Sequence, residues 1–257
     1  MRGGRGGTFA KVTTFSALLA RELSRRPGVP FVTFYDHASG ERVELSVTTY
    51  ANWVAKAASL LSEEHDLERG QVLRIDLPTH WLGCVFLGAA WACGLQVDLS
   101  GEHDSPDAVV CGPESLGLWA ERADSIPVLA CALRPLGVRF AEPLPDGVHD
   151  VGVEVWGQPD AFTAWDPPQP DDVALLLPGS TPTQGEVWEA AAVGALLDGG
   201  GRLISVTNPA SPPGIVTFTE PLARGGSLVM VAHPDPDRLD RTAQEEQVTA
   251  RAPGAEG

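Results

Sequence analysis

Lysine is nearly missing from this chain. Of its 18 basic residues only Lys11 and Lys56 are lysine, against 34 acidic residues, and the net charge is -16. Phosphate-backbone and anionic-membrane binding need concentrated Lys and Arg, so this balance argues against nucleic acid and membrane partners. No CxxC clip occurs. Cys84, Cys93, Cys111 and Cys131 lie too far apart for one, and two fall in apolar segments, which predicts buried structural thiols and not ligands or bridges. No apolar signal segment follows Met1–Gly7, so a cytoplasmic location is expected. The most apolar stretch, Trp81–Leu95, carries Gly83, Gly88 and Gly94 and is shorter than the ~20 residues of a membrane span. It is expected to form a core helix.

What is present is an ordinary globular composition, 43% hydrophobic and 20% charged over 257 residues, rich in Ala, Gly, Pro and Arg as in a GC-rich, for example actinobacterial, genome. Thr13 or Thr14 can cap a helix bearing Phe15, Leu18, Leu19 and Leu23. Pro30–Tyr35 and Arg42–Val47 flank a turn and predict a hairpin. Thr48 and Thr49 are candidate caps for a helix carrying Trp53, Ala57, Leu60 and Leu61. Strand Val72–Leu77, the apolar helix opened by Pro78 and strand Leu95–Leu99 then form a βαβ unit. Strand, helix and strand follow at Ala108–Cys111, Glu114–Ala123 and Pro127–Ala132.

Beyond Pro135 the chain turns rich in Pro, Gly and Asp, with a β-like run at Val151–Trp156. The pattern resumes with strand Val173–Leu177, helix Glu186–Leu197, strand Leu203–Val206, a β-prone run at Ile215–Thr219, strand Leu228–Val231 and a helix from Pro236 capped by Asp235. The expected architecture is α/β, with mostly parallel sheets flanked by helices. The expected organisation is a flexible stretch 1–12, a first lobe 13–150, a connection 151–170, a second, smaller lobe 171–248 and a flexible tail 249–257.

The segment Val47–Leu99 contains Thr49-Tyr50-Ala51, Arg69-Gly70-Gln71-Val72, Leu77-Pro78 and Cys93-Gly94-Leu95. In order and spacing it resembles the amino-terminal region of the acyl-adenylate-forming enzymes, the superfamily of acyl-CoA synthetases, luciferases and peptide-synthetase adenylation domains. Downstream, Asp171–Val187 is similar to the family's strand and phosphate loop, Pro221–Val229 to its "LLAGGTVVL" strand, and Asp235–Thr249 to the helix after it. A short actinobacterial family described only as adenylation-enzyme-like is the nearest likeness.

The resemblance implies a phosphate loop at Gly179, Ser180, Thr181, Thr183 and Gly185, and ATP or AMP with magnesium as the cofactor such a loop would take. The loop departs from the family's "TSGTTGxPKG": Pro182 removes a backbone donor, Glu186 adds negative charge, and no lysine follows. The chain also ends where the family would supply its adenine and ribose contacts and its mobile carboxy-terminal domain. These departures predict a non-catalytic, pseudoenzyme-like protein acting in interaction or regulatory ligand binding, with a protein partner or a second copy of itself. The alternative is a minimal or partner-completed ATP-dependent acid ligase using Ser180, Thr181 and Thr183 as phosphate donors.

Other chemistry is weaker. Glu102-His103-Asp104 with Asp107, and His233 with Asp235 and Asp237, are expected to be a solvated loop and a helix cap, so no metal site is assigned. His80 fits a helix-end histidine, the tryptophans fit core filling, GxSxG is absent, and Gly199-Gly200-Gly201 precedes a strand and so is a helix stop. No catalytic residue is assigned.

Overall fold

The computed structural model describes residues 14–135 and 138–255. Thr14 accepts the Ala17 N–H and opens helix α1 (Phe15–Arg25), which buries Phe15, Leu18, Leu19 and Glu22. Thr13 and the stretch expected to be flexible, 1–12, lie outside the described residues. Strands β1 (Pro30–Asp36) and β2 (Arg42–Ser46) form the expected antiparallel hairpin. Helix α2 (Val47–Ser59) is capped by Ser46, whose hydroxyl accepts the Thr49 N–H, and not by Thr48 or Thr49. It runs on into one π turn, Leu60–Glu64.

Strand β3 (Val72–Asp76), helix α3 (Trp81–Cys93) and strand β4 (Gln96–Asp98) make the βαβ unit. Then come β5 (Ala108–Cys111), α4 (Leu116–Ala120), β6 (Val128–Ala130), β7 (Val148–Asp150) and α5 (Val151–Glu154). The last third holds β8 (Leu175–Leu176), α6 (Gln184–Ala192), β9 (Arg202–Ser205), α7 (Ile215–Arg224), β10 (Ser227–Ala232), α8 (Pro236–Glu245) and β11 (Ala250–Arg251).

Two sheets result. One is all parallel in the order β7-β6-β5-β3-β4-β8; the other, β11-β9-β10-β1-β2, is parallel except for the hairpin. The expected α/β class is therefore correct. The sheets do not follow the sequential division into lobes: the early β1–β2 hairpin completes the sheet of late strands, through Val32–Asp36 against Leu228–Ala232, while the late β8 extends the early sheet beside β4. Strands such as β5 and β10 are buried along their whole length, which is why they read as unbroken apolar runs.

Helix α3 explains how the sheets are held. All thirteen of its residues are buried, and it touches β3 and β4 of one sheet and β1 of the other. A helix apolar all round belongs inside a protein. Gly88 lets α1 and α2 approach it: a Cβ there would lie 2.3 Å from the Tyr50 hydroxyl and 2.7 Å from the Phe15 ring. Around Trp91 the rings of Phe15, Trp188 and Phe218 gather at centroid distances of 5.9, 5.3 and 6.3 Å, and the Trp91 indole N–H donates to the Ala174 carbonyl. Core filling accounts for these tryptophans, although Trp156 and Trp165 are exposed.

Several local expectations fail for identifiable reasons. Ile215–Thr219 begins helix α7 because Ile215, Phe218 and Leu222 fall on one buried face at helical spacing, outweighing their β-branched neighbours. Val151–Trp156 is likewise helical, capped by Asp150, with Val151 and Val155 buried one turn apart. The helix after Pro78 starts only at Trp81, capped by the ring of His80. The tail is not frayed over its described part: Thr249 exchanges hydrogen bonds with Arg202, β11 pairs with β9, and Ala252 and Ala255 are buried.

Candidate functional site

The phosphate-loop residues follow β8. Leu177 and Ser180 exchange backbone hydrogen bonds across a tight turn in which Gly179 has φ +76°, a conformation glycine adopts without strain. Thr183 then caps α6. Its hydroxyl accepts the Glu186 N–H, and the Glu186 carboxylate accepts the Thr183 N–H at 2.8 Å, a complete capping box.

A helix N-terminus binds anions through unsatisfied amides. Here the Ser180 N–H goes to Leu177, Thr183 to Glu186, Gln184 to the Asp172 carbonyl, Gly185 to the Pro170 carbonyl and Glu186 to Thr183, while Pro182 has no N–H. The structure brings Gly179, Ser180, Thr181, Thr183 and Gly185 into one loop, but five of its amides are spent within the chain. Ser180 and Thr181 are exposed. Glu186 places its negative charge at the loop, as expected from the sequence, and although exposed its carboxylate accepts the Thr183 N–H where an anion would bind.

The rest of the loop is tied to the core. Gln184, 1% exposed, accepts the Phe15 N–H and donates to the Trp91 carbonyl. Arg69 clamps Asp172 through two hydrogen bonds of 2.7 and 2.6 Å just upstream. Lys56 is largely covered and committed to the Gln158 carbonyl and Asp160.

A second locus lies at the carboxyl ends of β1, β3, β9 and β10, the edge where open parallel sheets place ligands. A crevice of about 540 Å³ elsewhere is mostly apolar and runs between α1, α2 and residues 160–168. The strand-end crevice, about 400 Å³, is instead lined by Phe34, Asp36, Glu41, His80, Leu133 and His233 with neighbouring apolar residues. Asp36 accepts the Ala38 N–H, the Ser39 hydroxyl and His233 Nδ1 at 2.8, 2.7 and 2.8 Å. Burial would raise its pKa, but these hydrogen bonds win and hold it at about 2.

His80 is 4% exposed and its Nδ1 accepts the Leu82 N–H, so the neutral ring carries its proton on Nε2, which has no partner. Burial pushes its pKa down to about 4, Asp36 opposing. Glu41 has a buried carboxylate oxygen without a partner, and burial followed by the Asp36 charge raises its pKa. Leu133 and His233 have φ of +50° and +47°, costly for residues with a Cβ, and both line this crevice. The crevice thus offers one buried donor, one buried acceptor and apolar walls.

No family model matches the chain. Its sequence is 35% identical over 248 residues to a TIGR03089 family protein of Mycobacterium tuberculosis, spanning 92% of this chain and 97% of that protein. The chain belongs to the TIGR03089 family. Its fold is that of the amino-terminal part of adenylate-forming enzymes. The Brucella canis acyl-CoA synthetase superposes with a TM-score of 0.75 at 16% identity, covering 94% of this chain and 48% of that one. For the Streptomyces lividans acetoacetyl-CoA synthetase the figures are 0.74, 15%, 92% and 41%, and for the N-terminal domain of FACL13 from Mycobacterium tuberculosis 0.67, 14%, 91% and 61%. This TIGR03089 chain spans about half the length of the synthetase structures it matches.

In the TIGR03089 chain the clusters weighed from sequence stay apart from the crevice, save His80 and His233. Glu102, His103 and Asp104 are exposed, Asp107 accepts the Val72 N–H, and Asp235 caps α8. Asp36 and Glu41 carried no sequence signal: a hairpin turn normally uses such residues for its own hydrogen bonds, as Asp36 also does.

Proposed function

We propose that this TIGR03089 family protein is a non-catalytic relative of the adenylate-forming enzymes that works by binding and does not activate an acid with ATP. The observation that carries the reading is the internal satisfaction of the loop amides at Ser180, Thr183, Gln184, Gly185 and Glu186. A phosphate cradle needs those donors free, and a lysine to reinforce them. The strand-end crevice is the ligand site: it suits a small molecule with an apolar body and a hydrogen-bond acceptor facing His80 Nε2. Four buried, unpaired cysteines support a reducing, cytoplasmic setting.

The test is acid-dependent exchange of pyrophosphate into ATP, with calorimetric titration of ATP and magnesium beside it. No exchange and no heat are expected. Exchange with any carboxylic acid overturns the reading. The exposed hydroxyls of Ser180 and Thr181 favour a second reading, an adenylating enzyme completed by a partner. Micromolar ATP binding that disappears in the Ser180→Ala/Thr181→Ala double variant would select it.

A further inference from the structure

Among the described residues, one group of three potential metal ligands closes on itself, and its members carry no ligand spacing in the sequence. His65 follows the π turn at the end of α2, His149 lies in β7, and Glu154 ends α5. Two of the three are five residues apart; the third comes from 84 positions earlier than His149, so only the fold unites them. A π turn adds a residue to a helix and redirects the chain beyond it, and such turns recur at functional sites. Here the His65 N–H closes the wide turn on the Leu60 carbonyl, fixing the ring against that of His149, with centroids 4.3 Å apart.

We propose that His65 Nε2, His149 Nδ1 and the Glu154 carboxylate form a binding site for one transition-metal ion of the zinc type. The carboxylate oxygens lie 3.2 Å from His65 Nε2 and 3.0 Å from His149 Nδ1, and the three ligand atoms are all within 4.8 Å of one another. Tetrahedral zinc with bonds of about 2.0 Å separates its ligand atoms by roughly 3.3 Å. Each carboxylate oxygen therefore already stands at about that spacing from one of the two nitrogens, Oε2 from His65 and Oε1 from His149. Every other pair among the three ligand atoms lies within 4.8 Å, so closing on an ion needs at most about 1.5 Å of side-chain movement.

Two imidazoles and one carboxylate favour zinc, nickel or copper over magnesium or calcium, which prefer all-oxygen shells. His65 is 5% exposed at its side chain, while His149 at 38% and Glu154 at 27% leave an outer face through which an ion can arrive and a water can bind as fourth ligand. Glu64 adds negative charge nearby. A bound ion would staple the end of α2 to the β7–α5 corner, reinforcing the polar contact between His65 and Glu154 that already joins them.

The experiment is calorimetric titration of the full chain, free of any histidine tag, with a zinc salt, paired with thermal melting. One zinc per chain, bound with micromolar or tighter affinity and raising Tm, is expected. His149→Ala and Glu154→Gln should each weaken binding by more than about tenfold. His149 and Glu154 are partly exposed, so circular dichroism should show both variants folded; His103→Ala, altering an exposed histidine, should bind like the parent. Absence of binding at about 100 µM zinc, or binding undiminished in both site variants, overturns the proposal. Magnesium should neither bind at this site nor displace zinc.

Discussion

His80 ties the stability of the fold to pH through one buried ring. The imidazole caps α3 with Nδ1, packs on Phe34 at 4.9 Å between centroids, and ionises at about 4 when folded against an ordinary 6.5. Below pH 6.5 the unfolded chain therefore takes up a proton that the folded ring refuses until about pH 4. Stability is fully present above pH 6.5 and falls as pH drops through this window, and the two equilibria differ by about 3 kcal/mol at 1.36 kcal/mol per pKa unit. Asp36, the carboxylate acting on His80, is held at about 2 and loses its own contribution only below its ordinary 3.8, outside this window.

The perturbation is His80→Asn, which keeps a side-chain acceptor for the Leu82 N–H but does not titrate. Urea unfolding measured from pH 7.5 to pH 4 gives the comparison. The variant is less stable at pH 7.5, because it loses the ring contact with Phe34. It should then lose about 3 kcal/mol less than the parent on acidification. His37, whose pKa is lowered by burial and then by Arg238, contributes a slope of the same sign in both proteins and cancels. Parallel stability curves for the two proteins would refute the assignment of this slope to His80.

Two substitutions probe the loop and the core. Thr183→Ala removes the hydroxyl half of the capping box and should cost about 1 kcal/mol in urea unfolding, whereas Ser180→Ala, at an exposed position, should stay within about 0.5 kcal/mol of the parent. Gly88→Ala puts a methyl group against the Tyr50 hydroxyl, the Phe15 ring and Val54, and should destabilise by about 3 kcal/mol or more, with loss of the Tyr50 hydrogen bond to the Cys84 carbonyl. A thermal melt close to that of the parent would show that α1 and α2 can shift away from α3.

The central βαβ unit is legible in the sequence because Trp81–Cys93 is apolar on every face and its flanking strands are short and β-branched, a pattern with few alternatives. Helix α7 is misread when propensity is weighed above period: Ile215, Phe218 and Leu222 are spaced for a helix face in the sequence itself. The exchange of strands between sheets is not legible. A hairpin's sequence specifies its own pairing, but its outer partner is chosen by tertiary packing, here β10, nearly 200 residues downstream. The crevice and the His65–His149–Glu154 group share this property, for each joins residues whose local roles look complete. Asp36 serves its turn and reaches His233 from 197 positions away.

The segment after β8 shows how packing can hold a loop in place independently of any ligand. Gln184 occupies the loop's centre and joins three helices, accepting from Phe15 at the start of α1, donating to Trp91 in α3 and forming the first residue of α6. Its side chain is buried, so removing either partner would strand a polar group at a cost of about 1–3 kcal/mol. Selection for packing alone would therefore keep this segment in place. A loop held by its own capping box and by a buried glutamine gains rigidity from bonds that a phosphate would have to break. Displacing Glu186 from the Thr183 N–H, to free one donor for an anion, forfeits a charge-assisted bond of 2.8 Å and sets two negative groups side by side. The capping box and the buried Gln184 that hold this segment therefore oppose anion binding at the loop, an expectation that the titration with ATP and magnesium checks directly.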